Sequence, residues 1–178
     1  MLRNDAGEIK INEPVIISRA QHIITRAQIS ENALKVLHRL KEAGYASLLV
    51  GGCVRDLMLG REPKDFDVVT DARPEQIRKL FHNARVIGRR FRLVHVRFGW
   101  DIIEVATFRA IPRDISEEPL STEEEAEGEE VENDSPAEAP DHNVFGSQEE
   151  DAVRRDFTVN ALYYDIHDFS VIDYVGGV

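Results

Sequence analysis

The sequence predicts an α/β fold, a mixed sheet with helices mainly on one face. Two observations carry that expectation. Strand-like apolar runs alternate with helix-like ones between Ser30 and Phe108. Two of the strands, 92–98 and 101–108, are separated only by Gly99-Trp100, a hairpin connection that a purely parallel sheet would lack.

Residues 1–28 show little periodicity and read as a loosely ordered extension, with Val15-Ile16-Ile17 a candidate short strand. A helix follows. Ser30 suits its N-cap, Ala33, Leu34, Leu37 and Leu40 recur at helical spacing, and Gly44 supplies the stop. Residues 46–50 read as a strand entering the Gly51-Gly52 turn and a short helix that ends at Gly60. Residues 65–70 read as the next strand, 74–81 as a helix with Pro74 in its first turn, and 85–87 as a strand before the hairpin.

Beyond Arg113 the composition changes. Residues 117–141 are rich in Glu, Ala, Ser and Pro with almost no large apolar side chains, a signature of disorder. Order is expected to resume near Asn143, with a helix over 149–162 and a closing hairpin of 163–166 with 170–174. The division is therefore an extension (1–28), a folded domain in two pieces (29–113 and 142–178) and an acidic insertion (114–141). The end at Gly176-Gly177-Val178, without a terminal helix, is expected to be that of a fragment.

A chain of 178 residues, 42% of them hydrophobic, is long enough for one domain with a core. It has no apolar run of membrane-spanning length and no apolar core of a secretion signal. Its single cysteine, Cys53, excludes an intrachain disulfide and reads as a small packing residue. A cytoplasmic protein without a membrane partner is the expectation. The net charge of −11 looks wrong for a nucleic-acid enzyme, but the acidity is local. Sixteen acidic residues and no Lys or Arg lie from Asp114 to Asp151. The other 17 face all 22 basic residues, so the working part of the chain carries a net +5.

The densest chemistry lies in Gly51-Gly52-Cys53-Val54-Arg55-Asp56 and Lys64-Asp65-Phe66-Asp67. A glycine pair opening a helix lets backbone N–H groups approach a polyphosphate. On a strand, Asp65 and Asp67 share a face and can hold one cation between them. Either aspartate alone also suits an ordinary turn; the short distance from the glycine turn favours one shared ligand. Arg55, one turn into that helix, reaches toward a triphosphate or pairs with Asp56. Glu104 shares its strand face with Ile102, Ala106 and Phe108, so it needs a partner: a cation, Arg109 or Arg92. Asp156 and Asn160, four apart in the predicted helix, suit a ribose or a water at a cation site, or simply each other. Gly88-Arg89-Arg90-Phe91-Arg92 is a basic and aromatic run suited to phosphates and a base, or to solvent and core. The six histidines show no metal-ligand spacing.

Taken with Arg154-Arg155-Asp156-Phe157-Thr158-Val159-Asn160-Ala161-Leu162, these motifs resemble the bacterial tRNA nucleotidyltransferase/poly(A) polymerase family from about Ile29 to the C-terminus. The resemblance implies a polymerase-β-like nucleotidyltransferase head domain. Residues 86–96, from Val86-Ile87-Gly88-Arg89-Arg90 to His95-Val96, and the helix 29–37 look like marks of the poly(A) polymerase branch rather than the CCA-adding one. By that resemblance Asp65 and Asp67 bind Mg²⁺, Asp156 completes the active-site carboxylates, and Gly51, Gly52, Arg55, Arg155 and Asn160 hold the nucleotide. The implied reaction is template-independent transfer of AMP from ATP to RNA 3′ ends by two-metal catalysis, in mRNA processing and decay. CCA addition to tRNA and a catalytically silent nucleotide- or RNA-binding module are the alternatives. The family's base-selecting and RNA-gripping residues lie beyond the head, so little polymerisation is expected from this chain alone.

Overall fold

The computed structural model describes residues 13–88, 92–111 and 144–178. The acidic tract 117–141 and Arg89, Arg90 and Phe91 of the basic run lie outside the described residues.

Among the described residues one eight-stranded sheet organises the chain. Its strands are β1 (Val15–Ile17), β2 (Leu48–Val50), β3 (Asp67–Thr70), β4 (Ala84–Ile87), β5 (Leu93–Phe98), β6 (Asp101–Thr107), β7 (Leu162–Tyr164) and β8 (Val171–Asp173). They lie in the order β1-β8-β7-β2-β3-β6-β5-β4. Only β3 and β6 run parallel; the other pairs are antiparallel. The helices are α1 (Glu31–Glu42), α2 (Gly52–Met58), α3 (Pro74–Leu80) and α4 (Gln148–Val153).

Three helices share one face. Ser30 Oγ accepts from the N–H groups of Asn32 and Ala33 and starts α1. Ala33, Val36, Leu37 and Leu40 then face inward, where α2 adds Val54 and Leu57 and α3 adds Ile77. These meet Leu49, Val68, Val94, Val96, Ile103 and Val105 of the sheet in one core. Truncating such a buried Leu typically costs about 2–5 kcal/mol. The opposite face is covered over part of its width. There Ala152 of α4, Ala161 and Phe108 pack on Leu48, Val50, Val69 and Tyr163. The mixed sheet with helices mainly on one face is as the sequence predicts.

Three expectations are corrected. Residues 13–28 are packed rather than loose: β1 pairs with β8, two 3₁₀ turns follow at Arg19–Gln21 and Arg26–Gln28, and Ile24 is fully buried. The strand expected from Asp65 begins at Asp67, because β2 ends at Val50, opposite Asp67, and offers Asp65 no ladder partner. The helix expected over 149–162 ends at Val153. Phe157 is extended, Thr158–Asn160 form a 3₁₀ turn, and Leu162–Tyr164 are drawn into the sheet beside β2 and β8. Asp156 and Asn160 therefore share no helix face. Sheet pairing has overridden a helical pattern that β-branched Thr158 and Val159 already weakened.

Candidate active site

The turn between β2 and α2 is the pivot. Gly51 sits at φ +80° and ψ −141°, a conformation open to glycine and strained for other residues. Its N–H donates to the Leu162 carbonyl and its own carbonyl accepts from Val54 and Arg55, so the turn is tied to β7 and to the first turn of α2. A side-chain carbon on Gly51 would stand 3.7 Å from Asp67 Oδ2, 3.9 Å from Arg155 Nη1 and 3.9 Å from the Asn160 carbonyl. Four of the residues singled out in the sequence thus converge here.

Arg55 follows one turn later. Its Nε and Nη2 each lie 2.9 Å from Asp56 Oδ1, while Nη1 donates to Asn160 Oδ1 at 2.9 Å. The plain ion pair with Asp56 exists, and the same guanidinium also braces the 3₁₀ turn. Gly52 lies beneath it: a side-chain carbon there would stand 3.5 Å from Arg55 Nη2. Cys53 is buried, its thiol donating to the Val50 carbonyl at 3.2 Å, and burial pushes its pKa up to about 11.

Asp67 opens β3 and pairs in register with Glu104 of β6, which in turn pairs with His95 of β5. Glu104 Oε1 stands 3.3 Å from His95 Nε2, a partner the sequence reading did not name. Arg92, one of the partners it did name, bonds Glu75 at 2.9 Å. Burial first, then the Glu104 carboxylate, holds the Asp67 carboxyl above its ordinary range; Arg155 opposes the rise and Asp65 adds to it. Asp65 itself is exposed in the bend before β3 and lines a neighbouring depression with Ser30 and Asp101, so its charge reaches Asp67 across the strand entry.

Asp67 and Glu104 line a cleft of about 510 Å³. Arg109, Arg154 and Arg155 line it as well, with Asp156 and Phe157, both exposed to solvent. Burial and the neighbouring Arg154 make the Arg109 charge costly and lower its pKa. Arg155 is held from beneath by Asp151, a residue the sequence reading passed over. The Asp151 carboxylate, 3% exposed, accepts from Arg155 Nε at 3.1 Å, Arg155 Nη2 at 2.9 Å, the Tyr163 hydroxyl at 2.9 Å and the Arg109 N–H at 3.2 Å. Burial would lower the Arg155 pKa, but Asp151 and Tyr163 together outweigh it and the net shift is upward. Burial, then Asp151, raises that of Tyr163. One edge of the guanidinium, Nε and Nη2, is thereby held on Asp151 Oδ2, and Nη1 lies beside the Gly51 turn. The i,i+4 spacing of Asp151 and Arg155 was the available signal.

The donors of Asp67 and Glu104 are all oxygen, and like charges crowd them. That chemistry suits a hard divalent cation of the Mg²⁺ kind, which binds through one or two carboxylates plus substrate phosphates. Among the described residues no three His, Cys, Asp or Glu side chains converge on a single metal position.

The eight-stranded mixed sheet with its helices defines a class, the polymerase-β-like nucleotidyltransferase fold. Residues 47–178 match the family described as the poly A polymerase head domain, and the chain belongs to that family. It is 58% identical over 163 residues to poly(A) polymerase I of Salmonella typhi, covering 92% of this chain and 33% of that protein. The crystal structure of the Bacillus stearothermophilus CCA-adding enzyme in complex with CTP is similar at a TM-score of 0.60 and 32% identity, over 82% of this chain and 29% of that one. A tRNA nucleotidyltransferase complexed with a primer tRNA and an incoming ATP analog is similar at a TM-score of 0.50 and 30% identity, over 80% of this chain and 35% of that one. This chain spans about a third of the length of the curated relatives it matches. No helix among the described residues is long and apolar enough to cross a membrane.

Proposed function

We propose that this chain is the catalytic head of a template-independent nucleotidyltransferase that adds AMP from ATP to RNA 3′ ends. The single observation that carries the reading is the make-up of one cleft, lined together by the carboxylates of Asp67 and Glu104 and the guanidinium groups of Arg109, Arg154 and Arg155. A nucleoside triphosphate with its cation presents the complementary pattern. The relatives' names support the chemistry, and the greater likeness to poly(A) polymerase I favours AMP addition over CCA addition.

In this reading Asp67 holds Mg²⁺ with Asp65, which would have to turn in from the bend before β3, and Glu104 and Asp156, which line the cleft with Asp67, complete the carboxylates. Bound there, Mg²⁺ would lower the pKa of the RNA 3′-hydroxyl and offset charge on the departing pyrophosphate. The chain's own part is placement. Gly51 keeps the turn narrow so that phosphates pass close to Asp67. Arg155, fixed by Asp151 and Tyr163, presents Nη1 to them. Arg55 and Asn160 brace each other where α2 meets the 3₁₀ turn, positioned for the sugar and the outer phosphates. The reaction breaks the bond between the α-phosphorus and the pyrophosphate oxygen and forms one to the RNA 3′-oxygen.

The test places this chain in the matching third of the Salmonella typhi relative and offers labelled RNA with each nucleotide. AMP addition that disappears in Asp65→Ala/Asp67→Ala is the expected result. Addition that survives the double substitution overturns the catalytic reading, and restoration of CCA on trimmed tRNA in preference to A-tailing selects the CCA-adding alternative. The 178-residue chain alone is expected to bind ATP·Mg²⁺ and CTP·Mg²⁺ similarly and to extend RNA poorly. Robust, ATP-selective tailing by it would contradict the expectation that base choice lies outside this head.

A further inference from the structure

Glu104 has a polar neighbour on each side. It lies in register with Asp67 of β3 and with His95 of β5, so three titratable side chains occupy one row on adjacent strands. Neighbouring strands lie about 4.8 Å apart, near enough for the Glu104 side chain to lean either way. It leans toward His95, with Oε1 3.3 Å from Nε2. Nothing in the chemistry assigned to the cleft so far uses that imidazole.

The backbones that carry the row are fixed. Val68 follows Asp67, Ile103 and Val105 flank Glu104, and Val94 and Val96 flank His95; all five are buried in the core beneath the helices. The side chains are softer, those of His95 and Glu104 being 28% and 49% exposed. An unheld glutamate samples several rotamers, and a cation that uses it must first select one. Like charge also sets Glu104 against Asp67, the repulsion that helps to raise the Asp67 carboxyl. An imidazole N–H at Oε1 narrows the rotamers and disperses that charge, while the carboxylate keeps its other oxygen for an ion. Held on the His95 side, Glu104 leaves the space between the two carboxylates open and remains the next side chain along the row.

We propose that His95 is a positioning residue for the candidate cation site: its Nε2–H holds Glu104, so that Asp67 and Glu104 meet a divalent cation as a preformed pair. The proposal rests on the reading of the cleft given above and adds to it a residue that touches neither cation nor nucleotide. Partners that orient a ligating carboxylate from behind typically account for about 10–100-fold in metal affinity. The plain alternative is a cross-strand pair at the surface. That pair would contribute little to stability and predicts no dependence of cation affinity on His95.

Mn²⁺ titrated into the 178-residue chain at one fixed pH, with the free ion read by electron paramagnetic resonance, tests this. His95→Leu should weaken Mn²⁺ binding roughly tenfold, while His95→Gln, whose amide N–H can reach the same oxygen, should stay within about twofold of wild type. In a Glu104→Gln background His95→Leu should change nothing further, because the imidazole acts through that carboxylate. Arg97→Leu, on the same face of β5, should not weaken the ion's binding. Urea unfolding checks that each variant folds, and the His95→Leu midpoint should stay close to wild type. Wild-type Mn²⁺ affinity in His95→Leu, with affinity lost in Asp67→Asn, would overturn the role of His95 and leave the cation site standing. Affinity unchanged in Asp67→Asn would remove the cation site itself, and the reading of the cleft with it. Equal losses in His95→Gln and His95→Leu, a further loss in the Glu104→Gln background, or the same loss in Arg97→Leu would each overturn the positioning role.

Discussion

Replacing Asp151 tests whether the cationic part of the cleft lining depends on one buried carboxylate. Asp151→Ala removes the acceptor of both Arg155 bonds, of the Tyr163 hydroxyl and of the Arg109 N–H. A buried ion pair broken on one side typically costs about 3–5 kcal/mol, because the surviving charge is left uncompensated. The Arg155 side chain retains 25% exposure and can recover some hydration, which places Asp151→Ala near the lower end, about 3 kcal/mol. Asp151→Asn keeps an acceptor for one or two of the neutral donors and loses the charge, so about 2 kcal/mol is expected, the scale of a hydrogen bond to a charged group. Urea unfolding followed by circular dichroism measures this. With a slope of about 1–3 kcal/mol/M, a 2 kcal/mol loss moves the midpoint by about 1 M. ATP·Mg²⁺ affinity should fall with it, since Arg155 Nη1 is no longer held toward Gly51. Tyr163→Phe, losing one neutral bond, should cost about 1 kcal/mol, and the pair should be coupled in a double-mutant cycle. A midpoint for Asp151→Asn within about 0.2 M of wild type, at unchanged slope, would refute the reasoning.

Asp67→Asn is expected to stabilise the metal-free protein at neutral pH while abolishing transfer. The folded carboxyl is raised above its ordinary 3.8, so the folded state keeps its proton longer than the unfolded one, and stability is lost as pH rises through that window. The gain from Asn should therefore vanish below pH 3.8 and grow above it; a variant less stable at pH 7 than at pH 3 relative to wild type would contradict this. Gly51→Ala places a β-carbon at ordinary contact distances but forces a φ of +80°, so a loss of about 1–3 kcal/mol in thermal or urea unfolding is expected from backbone strain alone. Cys53 should resist iodoacetamide at pH 8 in the folded protein and react only as fast as the chain opens, because its thiol is buried with a pKa of about 11. Rapid alkylation without unfolding would place the thiol at the surface.

The parts of the fold that were legible from residues are those in which local chemistry and tertiary demand agree. Ser30 caps α1, Gly44 ends its turn at φ +86°, and the pattern of Leu37 and Leu40 is the buried face. The Gly99-Trp100 hairpin and the alternation of β6 also hold, but the strand face read as apolar at Glu104 is exposed at Glu104 and Ile102. Legibility failed where pairing decides. Nothing local to Lys64-Asp65-Phe66 says that β2 has already ended opposite Asp67. Nothing local to Asn160-Ala161-Leu162 says that β2 and β8 draw it out of a helix. The structure brings Gly51, Asp67, Arg155 and Asn160 together, but Asp151 stood at the end of a long acidic run with nothing local to single it out. Burial, which is not written in any short segment, marks it.

Register aligns Asp67, Glu104, His95 and Arg85 in one row across β3, β6, β5 and β4, and that row accounts for the unequal layers among the described residues. An apolar helix laid across β6, β5 and β4 would have to desolvate Glu104, His95 and Arg85 together, at several kcal/mol per ion unless every one found a partner. Where the row is absent, between β7 and β3, the same face carries Leu48, Val50, Val69 and Tyr163 and is covered. The charged residues therefore set the edge of the second layer, and that edge is the mouth of the cleft. Asp67 sits on the boundary: buried enough for its carboxyl to be raised, open enough to meet a cation. A core optimised for stability would have buried an apolar residue at that point in β3. The raised carboxyl is the cost of leaving a candidate cation site where the second layer, among the described residues, ends.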